Sequence, residues 1–588
     1  MTLTQKGERN RDRQLRLWPG VVAVTLQWLV RFGVPVVVPE ATAFGVIGGV
    51  LGGLVVLVWW AFFSRVPRAE RWGGVLLMIV AVAATPRILH PSIAGGMMGM
   101  MFGISVIPGL SLALVVWAVV GRSLAVGSRR VALVAAILAA CGFWAFVQTE
   151  GVTGEGRLQL AWRWKKTPEQ QLLARAGGEP AASPAAVPAP AAVKPPKTAA
   201  RMHAGWPGFR GPHRDGIVTG TRIKTDWAAS PPVELWRRPV GPGWSSFAVG
   251  GGLLYTQEQR GEFEVVACYD AATGKPVWTH RDTARFWESN AGAGPRGTPA
   301  LHDGRIYTLG ATGIVNSLDA GNGAAIWTRN AASDTGAQVP GWGFASSPLV
   351  VDDLVVVAAS GRLAAYGLST GAPRWVQTEG SVSYSSPHLL TIGGMAQIVF
   401  LNQAGATGVA PADGKALWKH PWPGGAILQP APTADGGVLI ASSDMSGGVG
   451  VRRLTVANGS GGWTAEEVWT SRGLKPYFND FVVHSGHAFG FDGGILACIG
   501  LHDGQRKWKG GRYGHGQLLL LADQDLLLVL SEEGELALVA AVPGQFTEIA
   551  RFPALEGKTW NHPVLAGDIL LVRNGQEMVA FRLSLAGG

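Results

Sequence analysis

The sequence predicts two fold classes in one chain: an all-β propeller of eight four-stranded antiparallel blades, and an α-helical membrane domain of about five spans. The first 150 residues contain apolar runs that are long enough to cross a bilayer. After residue 206 a module of 39 to 51 residues recurs, which is the length of a four-stranded propeller blade. The first and last pieces of this region complete each other, as the closure of a propeller requires.

Four apolar runs precede residue 150, and an earlier run contains Arg31 and Pro35. A central arginine costs roughly 2.5–3.5 kcal/mol on insertion scales, while each Val, Leu or Phe contributes roughly 0.3–0.6 kcal/mol in favour. The balance favours insertion of this run, which also lacks the small-residue cleavage site of a signal peptide. The expected spans are 21–38, 44–63, 72–88, 97–120 and 131–147.

Basic residues are concentrated in the N-terminal tail and in every second loop between these spans. Because loops rich in Lys and Arg stay in the cytoplasm, this pattern places the N-terminus there. Five spans then place everything after residue 151 in the periplasm or outside the cell, whereas four spans would reverse this. We therefore expect a multi-pass protein of the cell (inner) membrane. The basic residues are Lys6, Arg9, Arg11, Arg13 and Arg16 in the tail, Arg65, Arg68 and Arg71 after the second span, and Arg122, Arg129 and Arg130 after the fourth.

Three segments follow the membrane domain 1–150. Residues 151–179 carry tryptophans and cations that are typical of a juxtamembrane collar. Residues 180–205 form a linker in which 15 of the 21 residues at 180–200 are Ala or Pro, so it should be extended and should tether the propeller at 206–588. Of the net charge of +10, residues 1–150 carry +8, which excludes a nucleic-acid footprint on the propeller.

Each copy of the repeat ends in a tight turn with Gly, followed by Trp. Gly supplies the positive φ that the turn needs, and Trp should pack between blades. The segment 234–240 is an outer strand without its partners, and 562–583 is a blade without its outer strand, so together they should close the ring. The clearest copies are CYDAATGKPVW (268–278), SLDAGNGAAIW (317–327), AYGLSTGAPRW (365–375), GVAPADGKALW (408–418) and CIGLHDGQRKW (498–508).

With these motifs, residues 206–588 resemble the PQQ-binding-like, or quinoprotein alcohol dehydrogenase-like, β-propeller family. The phrase AxDxxTGxxxW at 267–278 and the lead-in WPGFRGPHRDG at 206–216 carry the resemblance. The family contains both enzymes and binding scaffolds, so the resemblance implies the fold and leaves the chemistry open. The compact size resembles the non-enzymatic propeller of the outer-membrane-protein assembly machinery, and the five-span layout resembles membrane-bound quinoprotein glucose dehydrogenase.

The residues just before each inner strand should line the mouth of the propeller, where ligands usually bind. They are rich in aromatic and polar types, although the Ser-Ser-Pro starts are expected to make strand-entry hydrogen bonds instead. The candidate ligand- or cofactor-binding residues are Trp244, Arg296, Trp342, Tyr384, Gln429, Lys475, Tyr477, Asn479, Arg512, His515, Trp560, Asn561 and His562.

In a PQQ-dependent dehydrogenase, the resemblance implies aromatic stacking by a mouth tryptophan and pairing of Arg296, Lys475 or Arg512 with the cofactor carboxylates. Asn479 or Asn561 with Glu288 would hold calcium, and Asp480 would be the catalytic base. No complete metal triad occurs at the family spacing, and adjacent cysteines are absent.

Two functions remain open. The sequence favours a membrane-anchored binding or scaffold module, whose mouth binds a protein, glycan or small-molecule ligand. The alternative is a PQQ-dependent enzyme that oxidises an alcohol or sugar and passes electrons to membrane quinone. The bilayer is the expected partner of the helical part in either case.

Overall fold

The computed structural model describes residues 17–175, 205–444 and 447–587, in two compact units, 1–165 and 166–588. The basic tail before residue 17 and nearly all of the Ala/Pro-rich linker lie outside the described residues. Both flanks of that linker, the helix that ends at Arg175 and the segment that begins at Gly205, belong to the second unit.

Within the described residues, five helices are long and apolar enough to cross a membrane, as predicted. Four helices begin two to five residues earlier than predicted, because they continue into flanking residues such as Arg68. The fourth helix begins four residues later, at Met101, because Met97, Met98 and Gly99 have positive φ and cannot continue a helix. A single helical turn, Pro91–Ala94, lies between the third and fourth helices. The helices are α1 (Trp18–Val37), α2 (Thr42–Phe63), α3 (Arg68–Arg87), α4 (Met101–Val120) and α5 (Val126–Phe146).

A buried carboxylate joins the ends of two spans. Glu70 at the start of α3 is 4% exposed and pairs with Arg129 of α5, with 2.9 Å between Oε1 and Nη2. The indole of Trp117 in α4 donates to the carbonyl of Arg129 at 2.7 Å. Because buried charges and polar groups need partners, these contacts fix how the three helices pack.

The predicted collar is a β-hairpin followed by a helix. Strands β1 (Val147–Val152) and β2 (Leu158–Trp162) pair antiparallel at the end of α5 and belong to the first unit. Helix α6 (Pro168–Arg175) belongs to the second unit and lies against the propeller. Its Glu169 accepts a hydrogen bond from the backbone N–H of Gly261 and pairs with both terminal nitrogens of Arg285, at 2.9 and 3.0 Å.

The described residues of the second unit confirm an eight-bladed propeller. Besides the blades it contains β3 (Ile217–Val218), β9 (Trp287–Glu288), β10 (Gly292–Ala293) and the short helix α7 (Ala331–Thr335). Blades 1 to 4 are β5–β8 (Ala248–Gly250, Leu253–Arg260, Phe263–Asp270, Pro276–Thr283), β11–β14 (Ala300–His302, Arg305–Leu309, Ile314–Asp319, Ala325–Asn330), β15–β18 (Leu349–Val351, Leu354–Ala359, Arg362–Gly367, Pro373–Gln377) and β19–β22 (His388–Ile392, Met395–Asn402, Gly405–Val409, Ala416–Pro421). Blades 5 to 8 are β23–β26 (Ala431–Pro432, Val438–Asp444, Gly447–Gly459, Gly462–Ser471), β27–β30 (Val482–His484, His487–Asp492, Ile495–Gly500, Arg506–Arg512), β31–β34 (Gln517–Leu521, Leu526–Leu530, Glu535–Ala540, Glu548–Pro553) and β35–β37 (Val564–Ala566, Ile569–Arg573, Glu577–Arg582) with β4 (Val233–Pro239).

Blade 8 closes the ring as the sequence predicts. Its first three strands come from the C-terminal end of the chain, and its outer strand is β4. The pairing runs from Glu577 opposite Pro239 to Arg582 opposite Val233. Both open edges are thereby removed from solvent.

The Gly and Trp of the repeat form one inter-blade contact. The turn glycine adopts positive φ, +66° at Gly274 and +74° at Gly323, and lies on the tryptophan of the preceding blade. A Cβ on Gly323 would approach the ring of Trp278 to 2.4 Å, so only glycine fits. Six of the indole N–H groups donate to a carbonyl of the next blade at 2.7–3.0 Å, in the pairs Trp236–Ala271, Trp278–Ala320, Trp327–Leu368, Trp375–Pro411, Trp469–Leu501 and Trp508–Val542. Trp418 instead donates to the side-chain oxygen of Gln397 in its own blade.

Other residues of the repeat are occupied by its own contacts. Asp270 and Asp319 accept backbone N–H bonds in their turns, from Thr273 and Gly321. Cys268 and Cys498 occupy matching positions opposite Trp278 and Trp508, and both are buried free thiols. These aspartates and cysteines therefore serve the repeat.

A buried arginine ties blade 8 to blade 1. Arg573 is fully buried, and its guanidinium donates to the hydroxyl of Thr256 at 2.5 Å and to the carbonyls of Gln257 and Gly241 at 3.1 and 3.0 Å. The carboxylate of Glu258, also fully buried, lies nearby and pairs with Arg260 at 2.8 Å.

We expect Arg573→Met to destabilise the propeller by about 3 kcal/mol or more, because it leaves buried acceptors unpaired at the closing interface. The control is Arg582→Met, which removes an exposed cation from the same blade. Thermal unfolding of the full chain in detergent, followed by tryptophan fluorescence, measures the difference. Equal midpoints for the two variants would contradict a closing role for Arg573.

Candidate functional site: the propeller mouth and channel

A ring of hydrogen bonds links the starts of the inner strands around the channel. In five successive steps, a backbone N–H of one blade donates to the equivalent side chain of the next blade. Ser246 also donates through its hydroxyl to the carbonyl of His562, which links blade 1 to the closing blade 8. The five steps are Ser246 to Thr298, Thr298 to Ser347, Ser347 to Ser386, Ser386 to Gln429, and Gln429 to Asp480, at 2.9–3.3 Å.

This strand-entry ring includes two of the predicted site residues, Gln429 and Asp480. The amide of Gln429 and one carboxylate oxygen of Asp480 are occupied by backbone N–H groups. Gln517 extends the ring by donating to the carbonyls of Phe478 and Trp560 at 3.1 and 3.2 Å. The ring therefore has a structural role of the kind expected for the Ser-Ser-Pro starts.

The lead-in at 206–216 lies inside the channel. It begins at blades 1 and 2, where Trp206 bridges to Val249 and the carbonyl of Pro207 accepts from Leu301 N–H at 2.7 Å. It reaches blade 7, where β3 pairs parallel with β31. The lead-in thus connects blades that are distant in sequence.

Two arginines of the lead-in fill the centre of the channel. Arg210 is 2% exposed and donates to the carbonyl of Phe481 at 2.7 Å, and its Nε lies 3.5 Å from Oδ2 of Asp480. Arg214 donates to the carbonyls of Ser347 and Pro348 at 3.1 and 2.8 Å. Burial together with Arg210 lowers the pKa of Arg214 to about 10.

Buried titratable groups surround these arginines. Burial raises the pKa of the Asp480 carboxyl, and Arg210 opposes this rise. Burial and Arg210 lower the pKa of His562 to about 3. Burial, Arg214 and Arg210 lower the pKa of His388 well below its usual value. Both histidines are therefore neutral at physiological pH.

Six half-buried aromatic rings form a continuous strip across the mouth. They come from blades 1, 3, 4, 6 and 8. The neighbouring ring centroids are 4.8, 4.7, 5.2, 6.5 and 4.8 Å apart. In order, the residues of this aromatic strip are Trp244, Trp560, Phe478, Tyr477, Trp342 and Tyr384.

Polar groups hold the strip from below and at one end. Glu532 accepts from the indole of Trp560 at 2.9 Å and from the backbone N–H of His515 at 3.0 Å, and the His515 ring stacks on Phe478 at 5.2 Å. The ammonium of Lys558 lies 4.5 Å from the centroid of Trp560. These contacts restrain the rings, so the strip is preorganised.

The other predicted residues bind their own surroundings. Arg296 pairs with Glu288 at 3.2 Å and donates to the carbonyl of Trp342 at 3.1 Å. Lys475 pairs with Asp492 at 3.5 Å. Arg512 is exposed at the end of β30.

The two predicted asparagines are buried beneath the mouth. Asn561 donates to the carbonyls of Gly243 and Ser245, and Asn479 accepts from Tyr477 N–H. Of the predicted set, the structure therefore brings together five aromatic residues on one surface, with His515 beneath them.

Residues 228–385 and 280–510 match the family model described as outer membrane protein assembly factor BamB. The propeller is of the PQQ-like repeat type. BamB of Shewanella oneidensis is 28% identical over 198 residues, which are 31% of this chain and 44% of that protein. The aligned region thus spans less than half of the length of this relative.

Two solved structures are similar to the chain in fold. Quinohemoprotein alcohol dehydrogenase ADHIIG from Pseudomonas putida HK5 covers 69% of this chain and 84% of its own, with 13% identity and a TM-score of 0.45. BamB from Moraxella catarrhalis covers 60% of this chain and 84% of its own, with 14% identity and a TM-score of 0.31.

The residues of this PQQ-like propeller do not fit PQQ with calcium at the mouth. Glu288 is occupied by Arg296 and by the N–H groups of Asn290 and Ala291, and Asp480 faces the arginine-filled channel. Among the described residues no group of three or more His, Cys, Asp or Glu side chains could hold a metal. The predicted ligands therefore lack the free, convergent oxygens that calcium needs.

Sequence reasoning missed several residues that shape the site. Phe478 and Lys558 lie just before inner strands, next to the predicted residues Tyr477 and Trp560. The aromatic-rich sequence at these positions could have indicated them. Arg210 and Arg214 belong to the lead-in, where two cations among Gly and Pro were the available signal. Glu532 lies in the turn between β32 and β33, and only the fold brings it under Trp560.

Low pH should destabilise the propeller through His388 and His562. The unfolded chain takes up protons near pH 6.5, whereas the folded chain holds these imidazoles neutral, so stability is complete above about pH 6.5 and falls below it. The slope is about 1.4 kcal/mol per pH unit for each histidine. For His562 this continues towards its folded pKa of about 3.

His562→Gln should therefore reduce the loss of thermal stability between pH 7 and pH 5. The matched control is His213→Gln, an exposed histidine of the lead-in. The raised pKa of Asp480 acts in the opposite sense in all three proteins and cancels in the comparison. Parallel pH profiles for wild type and His562→Gln would refute the assignment.

Proposed function

We propose that the chain is a membrane-anchored binding module whose aromatic strip binds an extended segment of a protein partner. The single observation that carries this proposal is the strip itself, a continuous row of half-buried rings at the end of the channel. Aromatic side chains in rigid surroundings are enriched at the energetic centres of protein interfaces.

The geometry of the strip favours a polypeptide over a glycan. Neighbouring rings are tilted by 33° to 81°, so they form crevices for apolar side chains and no flat row on which sugar rings could stack. The carboxylates and amides near the strip are not free to bind sugar hydroxyls, because Glu288 and Glu532 accept from protein groups and Asn561 is fully buried.

The similarity to BamB supports the same function. The matching family is described as an outer membrane protein assembly factor. A role in an assembly complex requires a surface for another protein, which the strip supplies. In this proposal the spans keep the propeller at the cell membrane, where it meets its partner.

We expect the double substitution Trp342→Ala and Tyr384→Ala to weaken peptide binding about tenfold, because it removes two of the aromatic rings that the peptide would contact. The probe is a synthetic ten-residue peptide of alternating Phe and Thr, titrated by calorimetry against the full chain in detergent. The control is Ile326→Ala, an exposed aliphatic residue on β14 of blade 2. The proposal fails if the double variant binds like the control, or if only a chitin oligosaccharide binds.

We further infer that the N-terminus is cytoplasmic and that the propeller lies in the periplasm. The five helices and the basic loops after the second and fourth of them support this orientation. An alkaline phosphatase fused after Gly154 should be active, because that turn follows the fifth span, and one fused after Leu124 should be inactive. The reverse pattern would place the propeller in the cytoplasm and would overturn this orientation.

A further inference from the structure

A groove of about 330 Å³ lies between the outer strands of blades 5 and 6, away from the aromatic strip. Blade 5 contributes the end of β26 and the residues after it, and blade 6 contributes the turn before β30. The lining residues with ionisable side chains are Arg472, Asp503 and Arg506.

The groove is strongly basic. The two segments that form and flank it, 472–475 and 503–512, contain six cationic side chains and one carboxylate. The buried Asp492 adds a second carboxylate, which is shared by Arg506 at 2.6 Å, Lys509 at 2.9 Å and Lys475 at 3.5 Å. One carboxylate cannot neutralise three cations, so a net positive charge remains at the surface of a propeller that is otherwise nearly neutral.

The two guanidinium groups that face the groove are not fully occupied, although Arg506 pairs with Asp492 through Nη2. Arg472 is exposed, and its side chain makes no ion pair or hydrogen bond with the described residues. Arg506 donates through Nε to the carbonyl of Gly473 at 3.1 Å and through Nη2 to that of Arg472 at 3.3 Å. These two bonds fix its planar fork at the groove, and Nη1 is left for another acceptor.

The fold does not require these cations, as the other blades show. At the position that matches Arg506, two residues after the turn glycine, blades 1 to 4 carry Pro276, Ala325, Pro373 and Ala416. At the position of Lys507 they carry Val277, Ile326, Arg374 and Leu417. The same turn and the same tryptophan contact form without them, so the basic groove is a feature of blade 6 alone among these five blades.

We propose that this groove binds a phosphoryl group, either of a soluble phosphate ester or of a phospholipid headgroup. Arginine forks recognise tetrahedral phosphate oxygens in pairs, and lysines add point charge around them. The surplus of positive charge is better matched by a phosphate dianion than by a single carboxylate. This site is separate from the aromatic strip and does not depend on the peptide-binding proposal.

The test is a calorimetric titration of the full chain in neutral detergent at constant ionic strength, with inorganic phosphate and with glycerol 3-phosphate as probes. A second arm measures flotation with vesicles of phosphatidylcholine, with and without 30% phosphatidylglycerol, which separates the lipid source from the soluble one. Arg472→Gln with Lys507→Gln should weaken binding of the preferred probe at least tenfold.

The matched control is Arg374→Gln, which removes the cation at the position of Lys507 in blade 3 and should leave binding within twofold. Thermal unfolding of both variants verifies that the blades are intact. Absence of binding to all probes, or equal binding by the two variants, would overturn the proposal. Binding of acetate as tight as that of phosphate would also overturn it and would indicate an acidic peptide.

Discussion

The contact between each tryptophan and the turn glycine of the next blade determines the rest of the propeller. The indole covers the glycine, its N–H satisfies a carbonyl of the adjacent turn, and no side chain fits between them. Because the contact repeats at six interfaces between the described blades, most blades are positioned by their neighbours. Blade 8 makes the same contact to blade 1 through Trp236 of the N-terminal strand β4, so closure uses the repeat interaction and adds the buried Arg573 to it.

The polar groups around the channel are occupied by contacts within the propeller, so the surface at the mouth is the part that remains for a ligand. The strand-entry ring consumes the side chains of Ser246, Gln429 and Asp480 in hydrogen bonds between blades. The lead-in then places Arg210 and Arg214 in the space that remains. A quinone cofactor would need the same carboxylates and amides to be free, whereas a protein partner needs only the aromatic cover above them.

The fold could be predicted from the sequence to a greater depth than the site. The repeat length, the turn glycines and the complementary ends were enough to predict eight blades, because each blade is built from local turns and from one recurring contact. The mouth residues were predicted from their position just before each inner strand. That position locates the backbone of a residue but does not give the direction of its side chain. Asp480 and Tyr477 were therefore equal candidates, yet only Tyr477 belongs to the aromatic strip. Asp480 pairs instead with Arg210, which lies about 270 residues earlier in the chain, and the local sequence around Asp480 gives no sign of that partner.

Departures from the repeat are the best guide to function in a propeller of this kind. Residues that every blade needs, such as Trp278 or Gly323, are explained by packing and say nothing about ligands. The cations of blade 6 are different, since Arg506 stands where other blades place Pro or Ala, and three cations surround Asp492 where one would match its charge. Like charges held together at a surface destabilise the isolated protein, and an anion that binds between them removes that cost.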